Sequence, residues 1–489
     1  MAPTVAHCVW LPAPPRGPRF ALGRPGGKTC LSLPMRVAIV GAGWAGMAAA
    51  VAAVQNGHAA SVFEAARTVG GRARALNGTL PDGTSVVLDN GQHIMIGAYT
   101  ETLRLMQLVG VKPQTALLRT PLNLQFADGS GLALPAWPAP LDALAGMLTA
   151  GGWNWADKWS LLRASARWQL QGFQCAARTT VADLCATLTP TVVNTLIDPL
   201  CVSALNTPAQ RASGQVFLTV LRDSLLGGQG SSNLLLPTTD LASLFPQVAA
   251  LWLVSHGATV LLGARVNTLQ CLTTTGANVA SAAKAPIPSI QWQVNSEEFD
   301  AVIWATSSSH AAAALMDTAQ EAPEFIAATL SNWAASAQAL QFEAIATVYA
   351  WAPDARLRQP MLSLRSAAAT AATATTPVKP AAPAQFVFDR GQLGGPAGLL
   401  AFVVSASNDD RETLQTQVLA QAQTQLGLTL QPVQTVVEKR ATFACTPALV
   451  RPPMQIAPGL LACGDYIEGP YPATLEGAVR SGWAAGGAL

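Results

Sequence analysis

The sequence predicts an α/β protein: a doubly wound, mostly parallel sheet gathered from separated segments, with an α+β domain inserted between them. Three observations carry this. An aliphatic run, a glycine turn, an alanine-rich run and a second short aliphatic run follow one another between Val37 and Glu64. A similar run, Leu460-Leu461-Ala462-Cys463, lies almost at the other end of the chain and ends in Gly464-Asp465. The 489 residues exceed what one compact core holds, so two or more domains are expected.

Val37-Ala38-Ile39-Val40 has the unbroken aliphatic character of a strand buried on both faces. Gly41-Ala42-Gly43-Trp44-Ala45-Gly46 follows it. Gly41 permits a tight strand-to-helix turn, Gly43 lets the backbone approach a pyrophosphate, and Gly46 lets the helix pack closely on the strand. The helix over the alanine-rich run to Val54 is closed by Gln55-Asn56-Gly57, and its N-terminus offers free N–H groups to phosphate. Ser61-Val62-Phe63 reads as a second strand with Glu64 at its tip, where a carboxylate can accept hydrogen bonds from ribose hydroxyls. A glycine turn flanked by this strand, helix and acid marks a Rossmann-type, dinucleotide-binding unit. A hydropathy scan would read the same stretch as a membrane span, but the glycine punctuation argues for strand, turn, helix and strand.

Composition narrows the class. Half of the residues are hydrophobic, mean hydropathy is +0.30, and only 11% are charged, where globular proteins average about 25%. Disorder is excluded, and an apolar ligand or a nearby membrane is suggested. A net charge of +2 without a basic run argues against a nucleic-acid partner. The eight cysteines are scattered without a CxxC pair, which fits a reducing, cytoplasmic compartment rather than a disulfide framework. None of the five histidines has a partner at metal-ligand spacing, so no metal is expected. Residues 1–34 are rich in proline and lack acids, and read as a disordered extension or a misassigned start before Met35.

Arg67-Thr68-Val69-Gly70-Gly71-Arg72 resembles the paired-glycine segment of the amine-oxidase-like flavoproteins, and Leu88-Asp89-Asn90-Gly91-Gln92-His93 resembles the stretch they pass beside the isoalloxazine ring. The resemblance implies noncovalent FAD. It assigns Gly41, Gly43, Ala45, Gly46, Glu64, Ala65, Gly71, Arg72, Gly91 and Gln92 to the cofactor. It places the backbone of Val266 against adenine, after a strand, turn and strand over Gly257–Val266. It sets Gly464 and Asp465 at the ribityl chain, and Thr474 and Leu475 at the head of a helix aimed at the flavin. The FAD-binding domain would then comprise 35–110, 240–310 and 455–489, and the substrate domain 111–239 and 311–454.

A closer resemblance is to the squalene-associated FAD-dependent desaturases of the phytoene-desaturase type, a group that includes the hydroxysqualene dehydroxylases. Its carriers are Leu88–His93, Leu205-Asn206-Thr207-Pro208, Leu221-Arg222-Asp223-Ser224-Leu225-Leu226-Gly227-Gly228 and Cys463–Leu475. It runs from Met35 nearly to the C-terminus and departs at two Ala, Thr and Pro-rich tracts, 272–290 and 366–384, which read as loop insertions. It implies reductive loss of the hydroxyl of hydroxysqualene to give squalene, with His93 the first candidate proton donor and Asp223 and Asn206 weaker ones. The Arg222-Asp223 pair also fits a structural ion pair. Two alternatives stay open: another flavin desaturase or isomerase acting on a carotenoid-like chain, and a flavin-bound lipid carrier without turnover. An isoprenoid lipid substrate implies a peripheral position on the inner face of a membrane. Trp137, Trp153, Trp155, Trp159 and Trp168, with Lys158, Arg163 and Arg167 nearby, mark the expected contact.

Overall fold

A computed structural model describes residues 33–274, 289–366, 381–407 and 409–489. The extension at 1–34 and the two insertion tracts lie wholly or largely outside the described residues.

Arg36–Val40 pairs in parallel with Ala59–Glu64 on one side and with Ala301–Trp304 on the other. Thr259–Leu262 extends the sheet beyond Ala59–Glu64, and Leu460–Ala462 extends it beyond Ala301–Trp304. Only the edge strand Gln455–Ala457 runs antiparallel. Strands far apart in sequence thus lie side by side, with Val37 against Ala301 and Val302 against Leu460. Val37, Ile39, Val302 and Ile303 are wholly buried, as unbroken aliphatic strands require.

The helix after the glycine turn, Trp44–Gln55, is apolar all round because it is covered all round. The sheet lies on one side and the C-terminal helix Leu475–Gly487 on the other. Gly482 and Gly486 allow this approach, because a Cβ at either would run into the Ala45 or Ala49 carbonyl oxygen. One local expectation is corrected. Thr259–Leu262 is a strand, but no second strand forms at 264–266. The Gly263 and Ala264 N–H groups instead bond the carbonyls of Ala66 and Glu64, which turns the chain over the strand tips.

A second sheet lies among the remaining described residues. It is five-stranded and antiparallel, with the order Met361–Ser363, Phe386–Asp389, Leu399–Ser405, Phe342–Trp351, Gln431–Phe443. Helix Arg411–Leu426 packs on it through Leu414, Val418 and Ala422. Leu234–Pro237 pairs with both Met95–Ile96 and Leu117–Thr120. Helices Leu141–Thr149, Trp155–Leu170, Asp198–Leu205 and Gly214–Leu225 lie between residues 141 and 225.

Candidate active site

The glycine turn is shaped for close approach. Gly41 has φ +112°, and a Cβ there would meet the Ala305 carbonyl oxygen at 2.8 Å. At Gly46 a Cβ would run into the Gly41 carbonyl, so the helix can start only with glycine there. Ala45, between them, is buried in the helix. Gly43 is the N-cap, and no side chain among the described residues caps the helix. Gly43 faces Gly70 in a short parallel bridge, and the Gly70 N–H bonds the Ala42 carbonyl at 2.9 Å. A Cβ on Gly43 would meet only the Gly71 Cα, at 4.0 Å. Two glycine segments therefore face each other without side chains beside an uncapped helix N-terminus. A cradle of this shape can take phosphate oxygens.

Glu64 is more engaged than its position in the sequence suggests. One carboxylate oxygen accepts the Ala42 N–H at 2.7 Å and the other the Ala66 N–H at 2.8 Å. The acid thus fixes the glycine turn and the loop through Ala65, and each oxygen keeps a second lone pair for a hydroxyl. Arg72 reaches across the cleft: Nη2 donates to Asp465 Oδ1 at 2.6 Å and Nη1 to the Ala441 carbonyl at 2.6 Å. Burial works against the guanidinium charge, but the adjacent Asp465 carboxylate outweighs it and holds Arg72 above its ordinary value. Gly464 and the buried Asp465 end the strand Leu460–Ala462, and Thr474 caps the C-terminal helix by accepting the Gly477 N–H at 2.9 Å. Leu475 is the first residue of that helix, while Val266 stands half-buried beyond the strand Thr259–Leu262.

A buried network that the sequence did not announce shapes the loop at Gly91 and Gln92. Asp89 accepts the Leu241 N–H at 2.8 Å, and its carbonyl accepts the Tyr349 hydroxyl at 2.9 Å. Arg390 stands 3.9 Å from the Asp89 carboxylate and donates to Gln92 Oε1 at 3.1 Å. Burial pushes the Asp89 carboxyl up to about 6, against the opposing pull of the Leu241 N–H and Arg390.

The candidate proton donors fare differently from the expectation. His93 Nδ1 lies 2.7 Å from the Gly91 carbonyl, so Nδ1 carries the proton and Nε2 is left as an acceptor. Burial holds the imidazole below its ordinary value, and the Arg72 charge adds to this. Nε2 is the ring nitrogen left free for another partner. Asn206 caps helix Asp198–Leu205 with φ +45°. Its Nδ2 donates to Thr442 Oγ1 at 2.9 Å and its Oδ1 accepts the Ala406 N–H at 3.2 Å. Both amide ends of Asn206 thus join helix to sheet.

Asp223 is the exception. It lines a cavity of about 490 Å³ walled mostly by Leu, Ile, Met and aromatic side chains from helices Leu141–Thr149, Trp155–Leu170 and Gly214–Leu225. Ile94 and Ile96, just past His93, form part of its wall, as do Tyr471, Pro472 and Thr474 at the head of the C-terminal helix. Asp223 is the only charged residue among the described residues that line it. It accepts the Tyr471 hydroxyl at 2.9 Å and Arg222 Nε at 2.7 Å. Burial, and then the carboxylate it donates to, push the Tyr471 phenol above its ordinary value, so it remains a donor. No spacing relates Tyr471 to Asp223, because the contact joins positions 223 and 471 only through the fold.

Residues 44–488 match the family of flavin-containing amine oxidoreductases. The chain belongs to this family. It is similar to the hydroxysqualene dehydroxylase of Rhodopseudomonas palustris, 26% identical over 91% of this chain and 96% of that one. A zeta-carotene desaturase of Synechocystis is 42% identical, but over only 17% of this chain and 16% of its own length. Among solved structures, a putrescine oxidase variant superposes with a TM-score of 0.61 at 16% identity, over 92% of this chain and 98% of that one. Cyclohexylamine oxidase from Brevibacterium oxydans does so with 0.58 at 16%, over 93% and 98%. The chain is therefore an FAD-dependent oxidoreductase of the phytoene-desaturase-like type, with the α/β fold of the flavin amine oxidases. The side-chain-free cradle between Gly43 and Gly71 fits a dinucleotide diphosphate.

Proposed function

We propose that this flavoprotein removes the hydroxyl of a hydroxysqualene-like isoprenoid alcohol reductively, giving the hydrocarbon and water. The observation that carries this reading is Asp223, the one carboxylate among the described residues that line a mostly apolar cavity, held there by Tyr471. The hydroxysqualene dehydroxylase similar over nearly its whole length supports it.

In this reading Gly43, Gly71 and the helix N-terminus at Trp44 would hold the diphosphate of FAD, and Glu64, Arg72 and Asp465 would bind its hydroxyl-bearing parts. The hydride equivalent that replaces the hydroxyl would come from the flavin when bound and reduced. The chain's own residues have three tasks. The leucine and isoleucine walls bind the isoprenoid chain and exclude water, which keeps the ionising carbon from being trapped by solvent. Tyr471 and Asp223 bind the substrate hydroxyl and deliver a proton to it, so that the carbon–oxygen bond breaks with water as the leaving group. Arg222 holds the Asp223 carboxylate by donating to both of its oxygens. One proton and one hydride equivalent enter, and one water leaves. The allylic position of the hydroxyl spreads the developing positive charge. His93 keeps a different part: it bonds the Gly91 carbonyl and so shapes the loop at Gly91 and Gln92.

A second reading, desaturation of a carotenoid-like chain, draws on the local similarity to zeta-carotene desaturase. A hydrocarbon substrate gives the Asp223–Tyr471 pair no oxygen to bind. Anaerobic incubation of the reduced protein with hydroxysqualene, and of the oxidised protein with a polyene precursor, separates the two. Squalene from the first mixture supports dehydroxylation. A new double bond in the second, with no squalene in the first, overturns it.

A further inference from the structure

Two helices present apolar faces to solvent. On helix Trp155–Leu170 the residues Trp155, Trp159, Leu162 and Leu170 fall on one stripe, and all four are exposed. The opposite stripe, Leu161, Ala164 and Trp168, packs into the core. Helix Leu141–Thr149 does the same, with Leu141, Leu144 and Leu148 outward and Met147 inward. Lys158 couples the two: its Nζ donates to the Leu148 carbonyl at 2.6 Å and stands 5.4 Å over the Trp155 ring. Leu141, Leu144 and Leu162 also line the cavity, so the exposed patch is the rim of its mouth. A helix of a soluble protein turns such a face inward, and a contiguous exposed one marks a contact surface.

Charge selects the occupant. The two acids of this stretch are both buried. Asp142 accepts from the Ala143 N–H and the Ser232 hydroxyl, and Asp157 closes the capping box with Asn154. The charges left toward solvent, Lys158, Arg163 and Arg167, are all basic. Exposed tryptophan and leucine edged by cations alone match the acyl and headgroup layers of an anionic membrane. No helix among the described residues is long and apolar enough to cross a membrane.

We propose that this patch docks on the surface of an anionic lipid bilayer and that the substrate passes from the bilayer into the cavity between the two helices. The proposal rests on the reading that the cavity takes a long apolar substrate, and not on the reaction carried out there.

The test uses the FAD-loaded full chain and sedimentation with two kinds of vesicle, phosphatidylcholine alone and phosphatidylcholine mixed with phosphatidylglycerol. The parent should bind the mixed vesicles and bind the neutral ones more weakly. The pair Trp155→Ser and Trp159→Ser should weaken binding to both by about tenfold or more. The pair Arg163→Gln and Arg167→Gln should weaken binding to the mixed vesicles only, also by about tenfold. None of these four residues lines the cavity, so flavin content and turnover of detergent-dissolved substrate should stay at the parent level. A parent that does not bind the mixed vesicles overturns the proposal, as does a tryptophan variant that binds like the parent. So does a parent that sediments alone as a dimer which the tryptophan changes dissociate without affecting vesicle binding, because the patch then joins two copies of the chain. Intact vesicle binding with no turnover in detergent removes the proposed reaction and leaves the docking surface standing.

Discussion

The cleft at the tips of the parallel strands and the cavity beside it are made by different means. The cleft is made of backbone: glycines that leave room, a helix end that is not capped, and a carboxylate at a strand tip. The cavity is made of side chains, from helices between residues 141 and 225 and from segments as distant as Ile94 and Tyr471, and the one charged residue among the described residues that line it meets its partner across 248 positions. The first kind of site depends on where the chain turns, the second on which side chains the fold brings together. Substitutions should therefore act differently in the two regions, and their outcomes can break or sharpen the contrast.

The largest effect is expected in the cradle. In Gly43→Val the new side chain has only Gly71 near it, so the fold should survive while the space for the diphosphate is filled. The purified variant should be colourless, with a normal circular dichroism spectrum. Full flavin occupancy would show that the cradle is not where the cofactor lies.

Next comes the polar pair. Tyr471→Phe and Asp223→Asn should keep FAD and lose about 10²-fold in dehydroxylation, the usual scale for a displaced proton donor. His93→Gln should have a smaller effect than either. A larger loss in the His93 variant, measured in the same single-turnover assay, would return the proton to the imidazole.

The tryptophans sharpen the contrast between wall and rim. Trp153 and Trp168 are 7% and 4% exposed, whereas Trp137, Trp155 and Trp159 are 59%, 77% and 65% exposed. The expected membrane contact therefore divides: Trp153 and Trp168 belong to the core, and Trp153 Nε1 donates to Thr195 Oγ1 at 3.0 Å. Trp153→Ala should cost about 3–5 kcal/mol of stability, and Trp155→Ala within about 0.5 kcal/mol of none. Denaturant midpoints compare the two directly, and equal midpoints would erase the distinction.

A further difference concerns pH. The Asp89 carboxyl is raised from its ordinary 3.8 to about 6 by burial, so the folded state holds a proton that the unfolded state has lost. Its contribution to stability is complete below pH 3.8 and is lost as pH rises to about 6, an amount of about 3 kcal/mol. Asp89→Asn should flatten the pH dependence of the melting temperature across that window. A variant whose profile stays parallel to the parent would place the titration elsewhere.

These differences also explain what could be read from the chain before its fold was known. The glycine turn, the helix Trp44–Gln55 and the strand ending at Gly464-Asp465 are local patterns, each tied to one backbone requirement, and they were legible. Glu64 was legible as the acid at the strand tip, but its bonds to Ala42 and Ala66 were not. The Asp89–Arg390–Gln92 network and the Tyr471–Asp223 bond join residues that no spacing relates. The tryptophan cluster was visible as composition, yet whether a given ring faces the core or solvent depends on helical phase. Trp153 lies just before the helix that carries Trp155 and Trp159 on its exposed stripe and Trp168 on its buried one.

The central claim is that the polar pair and the flavin act together on a carbon–oxygen bond. The most direct measurement is a single turnover in D2O under anaerobic conditions, with the FAD-loaded protein reduced beforehand and mixed with hydroxysqualene. The account predicts return of the oxidised flavin spectrum, together with an equal amount of squalene carrying one deuterium at the carbon that lost its hydroxyl. Flavin that stays reduced while hydroxysqualene is recovered unchanged would contradict it.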